Sequence, residues 1–150
     1  MLVSKSIEID VGHRVTNHKS KCKNLHGHRY KIVVTVDDKV ITTTGASDEG
    51  MVIDFSDLKE LMMRHIDAVL DHGFMIYVKD PLLPFFAEQQ KSGMKIIITP
   101  FIPTAENLAE HLYCIMRQSL IERRIAIRSV EVYETPTSMA EYTRSDYENR

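Results

Sequence analysis

The chain has little cysteine and no long apolar run. Its two cysteines, Cys22 and Cys114, lie in unlike surroundings and do not resemble the disulfide framework of a small secreted domain. No stretch approaches the roughly 20 apolar residues of a membrane-spanning helix, and the first residues lack the layout of a signal peptide. We therefore expect reduced thiols, a cytoplasmic location and no association with a membrane.

An excess of charge of one sign is also missing. The chain has 19 Lys and Arg against 21 Asp and Glu, a formal net charge of -2. This balance gives no overall attraction to nucleic acid or to an anionic surface. Repeats, low-complexity segments and clear linkers are absent as well. Because 150 residues are enough to bury a core, we expect one domain over residues 1–150.

The stretch from His13 to Lys31 is nevertheless basic throughout. It contains no acidic residue and six basic ones, namely Arg14, Lys19, Lys21, Lys23, Arg29 and Lys31. One interpretation is an ordinary solvated loop. The other is a collar that attracts a polyanionic substrate such as a triphosphate. Few aromatic residues lie between these charges, so we do not expect nucleic acid as a partner.

Three histidines fall on the inward faces of two predicted strands. Apolar residues alternate with polar ones over residues 1–13, and His13 ends the apolar face. His26 and His28 begin the same face of a second alternating run, because residues i and i+2 of a strand share a face. If the two strands pair antiparallel through the loop at 14–25, all three imidazoles meet. Three histidines with an open fourth position are typical of catalytic zinc.

The alternative is that these are ordinary histidines. A single histidine at the end of a strand is usually packed or solvated, and a His-Gly-His triplet is ambiguous alone. Agreement in phase between two strands favours the metal site. His18, His65 and His111 have no such phasing, and we expect them to be ordinary residues.

The remaining patterns predict an α+β fold. We expect strands over 1–13 and 26–40, a short return at 51–53, and a helix capped by Asp54 or Ser56. A short strand at 95–99, a helix capped by Thr104, and strands over 125–135 and 139–143 follow. Residues 73–100 are otherwise hard to interpret, since two prolines interrupt them. The expected architecture is an antiparallel four-stranded sheet with two helices on one face.

Further polar residues stand where structure alone does not require them. Cys22 lies between two lysines, and nearby positive charge favours the thiolate form of a cysteine. Asp71 precedes His72, and a carboxylate can orient an imidazole for proton transfer. Glu134 ends an apolar strand. Its carboxylate can accept two parallel N–H bonds from a guanidine-like edge such as that of a pterin.

Together these motifs resemble the 6-pyruvoyltetrahydropterin synthase superfamily over essentially the whole chain. The resemblance rests on His13, on Cys22 four residues before the His26-Gly27-His28 triplet, on Asp71-His72, on Pro103-Thr-Ala-Glu-Asn-Leu-Ala109 and on Glu134-Thr135. The spacing from Cys22 to His26 is closest to the bacterial 6-carboxytetrahydropterin synthases of queuosine biosynthesis. Family members usually have an aromatic residue before the first histidine, often have Asn at position 76, and have a shorter segment at 75–100.

The resemblance implies a tunnelling fold, in which sheets of several subunits form a barrel, usually in a homohexamer of two trimers. It implies zinc bound by His13, His26 and His28. Glu134 would anchor the pterin, with Thr104 and Glu106 also at the substrate. Cys22 would be the general base. Asp71 and His72 would relay protons from a neighbouring subunit.

The implied reaction converts 7,8-dihydroneopterin triphosphate to 6-carboxytetrahydropterin with loss of triphosphate and acetaldehyde. Two alternatives stay open. One is a 6-pyruvoyltetrahydropterin synthase, which eliminates triphosphate without breaking a carbon–carbon bond. The other is a non-catalytic pterin-binding zinc protein.

Overall fold

A computed structural model describes residues 1–150 and contains one curled, mixed sheet of six strands in the order β4-β3-β1-β2-β5-β6. The strands are β1 (Leu2–His13), β2 (His26–Asp37), β3 (Phe74–Tyr77), β4 (Ile96–Thr99), β5 (Ile127–Thr135) and β6 (Ser138–Thr143). The helices are α1 (Phe55–Met62), α2 (Ala68–Leu70), α3 (Leu83–Lys91), α4 (Ala105–Glu122) and α5 (Arg144–Glu148). A π-helical turn, Met63–Asp67, joins α1 to α2, and a 3₁₀ turn, Lys21–Lys23, precedes β2. No helix combines the length and apolar character needed to cross a membrane.

The first two strands form the antiparallel hairpin that the alternation predicts. Their register pairs Leu2 with Asp37 at one end and His13 with His26 at the other. Inward residues of both strands are buried, whereas outward residues such as Glu8 and Arg29 are exposed. The hairpin therefore places its three histidines at one end of one face of the sheet.

The prediction of a four-stranded antiparallel sheet with two helices is wrong in two respects. Two short strands extend the sheet, since β3 pairs parallel with β1 and β4 pairs parallel with β3. Each has only four residues, too few to show a period-2 alternation. The segment between them also contains α3, with a proline in its first turn, where proline is tolerated. The predicted strand at 95–99 is confirmed as β4, but residues 51–53 form no strand.

Two capped helices cover the inward face. Asp54 caps α1 and accepts a hydrogen bond of 2.6 Å from Ser56 N. Thr104 caps α4 and accepts from Asn107 N. Their buried stripes pack on the apolar side chains of β1, β2 and β5 in one core of 24 residues. The core thus fixes the start of α4 beside the histidine end of the hairpin. On the outward face, Phe86 of α3 packs against Phe74, Ile76 and Ile96 of β3 and β4.

Candidate active site

The three inward histidines lie together at the end of the β1–β2 hairpin. The ligand atoms of His13, His26 and His28 are all within 4.8 Å of one another. The ring centroids are 4.5 Å apart for His13 and His26, 5.1 Å for His26 and His28, and 5.3 Å for His13 and His28. This cluster has the donor type, number and spacing to hold a divalent metal ion.

Gly27 permits this close approach of the two strands. A Cβ atom at this position would lie 2.8 Å from the carbonyl oxygen of Val11 on the neighbouring strand. Any side chain between His26 and His28 would therefore push the two strands apart. The glycine of the His-Gly-His motif is required by the hairpin that carries the histidines.

Hydrogen bonds from the outer ring nitrogens orient two of the imidazoles. His13 Nδ1 lies 2.6 Å from the carbonyl oxygen of Pro103, and His26 Nδ1 lies 2.8 Å from that of Asn24. A carbonyl only accepts, so each Nδ1 carries a proton, which leaves Nε2 as the atom that can bind a metal. Metal-binding histidines are oriented in this way in many proteins.

The site as a whole is short of a positive charge. Burial lowers the pKa of His13 and also that of His28, so both rings are neutral near pH 7. Glu134 Oε1 nevertheless lies 3.3 Å from the Nε2 atom of each ring. For His13, whose Nδ1 carries the proton, this places a carboxylate against a lone pair. A cation among these atoms would interact favourably with the Glu134 carboxylate and with the lone pair of His13. A metal ion fits this arrangement.

Tyr30 belongs to this cluster, although the sequence patterns did not single it out. Its hydroxyl lies 3.2 Å from His13 Nε2 and 3.5 Å from Glu134 Oε1. Burial raises its pKa, so the hydroxyl stays protonated and can donate. The signal was present in the register, because position 30 follows His26 and His28 on the same face.

A cavity of about 240 Å³ adjoins the histidines and contains four of the predicted site residues. Cys22, Thr104, Glu106 and Glu134 all line it, and the side chain of Glu134 links it to the histidine cluster. Cys22 comes from the 3₁₀ turn of the loop between β1 and β2, and Thr104 and Glu106 come from the beginning of α4. A thiol, two carboxylates and a hydroxyl therefore face one space beside the candidate metal centre.

Asp71 and His72 form the predicted pair, but on the other face of the sheet. His72 Nδ1 donates to Asp71 Oδ2 at 2.6 Å, and Asp10 N donates to Asp71 Oδ1 at 2.9 Å. A left-handed backbone conformation at His72, with φ of 56°, accompanies this contact between adjacent residues. The hydrogen bond from His72 to Asp71 raises the pKa of His72.

Within one chain, this pair does not meet Cys22. The imidazole of His72 is 78% exposed and lines a separate cavity of about 460 Å³ with Asp10 and Arg29, which point outward. His28 of the histidine cluster also lines this cavity, but the cavity shares no residue with the one that Cys22 lines. His72 is therefore available to another molecule rather than to the Cys22 of its own chain.

The basic stretch divides into paired and free side chains. Arg14 contacts Asp80, and Arg29 binds Asp10 through two hydrogen bonds of 3.0 and 2.9 Å. Three exposed lysines on the Cys22 loop form no ion pair; they are Lys19, Lys21 and Lys23. The positive charge available to a ligand is thus concentrated on this loop.

Comparison with known proteins gives consistent matches over nearly the whole chain. The family model described as 6-pyruvoyl tetrahydropterin synthase matches residues 2–145. Relatives named 6-carboxy-5,6,7,8-tetrahydropterin synthase include one from Rickettsia typhi, 35% identical over 92% of this chain and 96% of its own length. Another, from Haemophilus influenzae, is 33% identical over 93% of this chain and 96% of its own length.

Solved structures agree with these matches. An uncharacterized protein from Wolinella succinogenes has a TM-score of 0.79 and 27% identity, covering 96% of this chain and 98% of that one. The 6-pyruvoyl tetrahydropterin synthase of Caenorhabditis elegans has a TM-score of 0.67 at 23% identity, covering 95% of this chain and 94% of that one. The latter similarity concerns the fold.

Proposed function

Because the chain belongs to the 6-pyruvoyl tetrahydropterin synthase family, we propose that it is a zinc-dependent 6-carboxytetrahydropterin synthase. Its substrate is 7,8-dihydroneopterin triphosphate, which reacts with water to give 6-carboxytetrahydropterin, acetaldehyde and triphosphate. The observation that carries the proposal is the meeting of Cys22 and Glu134 in one cavity beside three metal-competent histidines. The names of the relatives support the carboxy-forming reaction.

In this proposal His13, His26 and His28 hold the zinc through imidazole nitrogens. Zinc bound there supplies Lewis acidity to the oxygens of the substrate side chain, which makes the neighbouring C–H group more acidic. The hydrogen bonds to Pro103 O and Asn24 O keep two of the ligand rings in orientation. Burial keeps His13 and His28 neutral, the form in which histidine binds a metal.

Glu134 and the start of α4 hold the pterin. Every contact of the Glu134 carboxylate within the chain involves Oε1, so Oε2 is free to accept an N–H bond from the pterin edge. Thr104 and Glu106 line the same cavity and limit where the ring can lie. A ring anchored there directs its side chain towards the histidines.

Cys22 takes the proton from the substrate side chain. Its thiol lies in the same cavity as Glu134, on a loop whose three lysines carry unpaired positive charge. The thiolate of Cys22 would be the form that accepts this proton. Anchoring of the pterin and proton removal are thus assigned to opposite ends of one bound molecule.

A second copy of the chain completes the site. His72 lies on the outward face, exposed and oriented by Asp71, so it would reach the cavity of a neighbouring chain. Strands β4 and β6 end the sheet and leave backbone groups for strands of other copies. We propose a homohexamer of two trimers, in which joined sheets form the barrel.

Product analysis tests the proposal. The zinc-loaded protein is incubated with 7,8-dihydroneopterin triphosphate, and acetaldehyde, triphosphate and pterins are quantified by mass spectrometry. Equal amounts of acetaldehyde and 6-carboxytetrahydropterin are expected. A pyruvoyl product without acetaldehyde would indicate the alternative synthase. Binding of the pterin without turnover would indicate the non-catalytic alternative.

A further inference from the structure

Asp80 is a buried carboxylate outside the cavity that holds Cys22. It lies between β3 and α3, and its side chain is fully buried. Thr16 Oγ1 donates to its Oδ2, Leu82 N donates to its Oδ1 at 2.8 Å, and Arg14 Nη1 lies 3.4 Å from Oδ1. A carboxylate is buried only when it is paired, and here its partners come mainly from a distant loop.

Those partners belong to the loop at 14–25, which carries Cys22. Arg14 and Thr16 flank Val15, whose N–H donates to the carbonyl oxygen of Cys22 at 2.9 Å. Val15 also lines the cavity beside Cys22. A short chain of contacts therefore connects Asp80 through Thr16 and Val15 to the backbone of the cysteine.

No other polar contact ties this loop to the rest of the protein. The remaining hydrogen bonds of residues 14–25 join the loop to itself or to His26 at its end, as in the contact of Asn24 O with the His26 ring. The three lysines around Cys22 point into solvent. Without Asp80 the loop would be held only by the hairpin ends and by apolar packing.

Burying Arg14 beside Asp80 is energetically costly, which argues that the contact holds the loop in a specific conformation. Arg14 is only 14% exposed, and its Nε atom is buried without a hydrogen-bond partner. An incompletely satisfied buried ion pair contributes little net stability, and in some proteins such a pair selects one arrangement of the chain. The segment that this pair holds here is the Cys22 loop.

We propose that Asp80 is a positioning residue for Cys22: by holding Arg14 and Thr16, it fixes the loop so that the thiol faces the cavity. The assignment of a chemical role to that thiol rests on the proposed function. Asp80 itself acts only by holding the loop in place, because it belongs neither to the cavity lining nor to the histidine cluster.

The test compares Asp80→Ala and Asp80→Asn with Asp57→Asn, a matched control that alters a surface ion pair with Arg123. Alkylation of each cysteine by iodoacetamide is followed by peptide mass spectrometry in zinc-loaded protein. Cys114, on α4, is the internal reference for general loosening. Zinc content, thermal unfolding, kcat and KM are measured on the same samples.

Asp80→Ala is expected to raise the alkylation rate of Cys22 several-fold relative to Cys114. Zinc content should stay at the level of the wild type. The value of kcat should fall by about 10- to 100-fold, with KM within about twofold, because a misplaced catalytic group costs turnover rather than binding. Asp80→Asn keeps the acceptor for Leu82 N but loses the charge opposite Arg14, and should give a smaller change.

The proposal is overturned if Cys22 and Cys114 react as in the wild type, or if both accelerate equally. Should Asp80→Ala fail to fold, Thr16→Val removes one hydroxyl donor and must still raise the ratio of Cys22 to Cys114 alkylation. This ratio does not depend on turnover. A protein that lacks synthase activity would therefore refute the proposed function while the alkylation ratio still decides the role of Asp80.

Discussion

His13 Nδ1 and the carbonyl oxygen of Pro103 are 2.6 Å apart, although 90 residues separate them in sequence. This hydrogen bond joins the end of β1 to the residue before the cap of α4. It fixes the tautomer of a buried imidazole and places the helix start beside the candidate metal centre. The two halves of the site, metal ligands and cavity wall, are thus linked through one ring.

The first prediction concerns metal content. Substituting Gln for His13, His26 or His28 should abolish stoichiometric zinc, because each change removes one of three ligands. The loss should exceed the roughly 10- to 100-fold that removal of a hydrogen bond to a ligating histidine costs. Zinc is measured by mass spectrometry after dialysis. His111→Gln, which changes a histidine packed on Phe101, should retain zinc; equal loss there would refute the assignment.

Removal of the thiol separates binding from chemistry. Cys22→Ala should retain zinc and pterin binding but lose turnover, because the base for proton abstraction is gone. General acid–base groups typically contribute about 10²- to 10⁴-fold, and a fall in kcat of that size is expected. Cys114→Ala is the matched control and should remain active. A Cys22→Ala variant with full activity would rule out the base assignment.

The free lysines of the Cys22 loop should bind the triphosphate. Replacing Lys19, Lys21 and Lys23 together by Ala should raise KM, and should make KM less dependent on salt than in the wild type. The control replaces three exposed lysines elsewhere, Lys39, Lys59 and Lys91. Measurements of KM at low and at high ionic strength test this prediction. Unchanged KM in the loop variant would leave the basic stretch as an ordinary solvated loop.

The Asp71–His72 pair has a consequence for titration. The hydrogen bond to Asp71 raises the pKa of His72, so Asp71→Asn should lower that pKa towards the ordinary value of about 6.5. The midpoint is read from the ring proton signals of His72 by NMR. Asp57→Asn removes the same charge at a remote position and should leave the midpoint unchanged. A midpoint unaffected by Asp71→Asn would show that the pair does not form in solution.

Local patterns were enough to predict the hairpin and its histidines. A period-2 alternation over 12 residues fixes which face each side chain occupies, and the observed pairing of His13 with His26 follows from it. The caps Asp54 and Thr104 were also predictable, since each supplies an oxygen to free amides of the first helical turn.

The other features depend on contacts that a linear pattern does not contain. The four-residue strands β3 and β4 are defined by their parallel neighbours rather than by their own alternation. Tyr30 occupies an ordinary inward position, and only the proximity of Glu134 gives its hydroxyl a role. Asp80 lies in a segment without clear periodicity, and its partners are 64 and 66 residues away along the chain.

Anomalous scattering at the zinc absorption edge, from crystals of the zinc-loaded protein, tests the central claim most directly. We expect one peak per chain, about 2.0–2.1 Å from the Nε2 atoms of His13, His26 and His28. A zinc-saturated crystal without a peak at these three atoms, or with zinc bound by other side chains, would contradict the account.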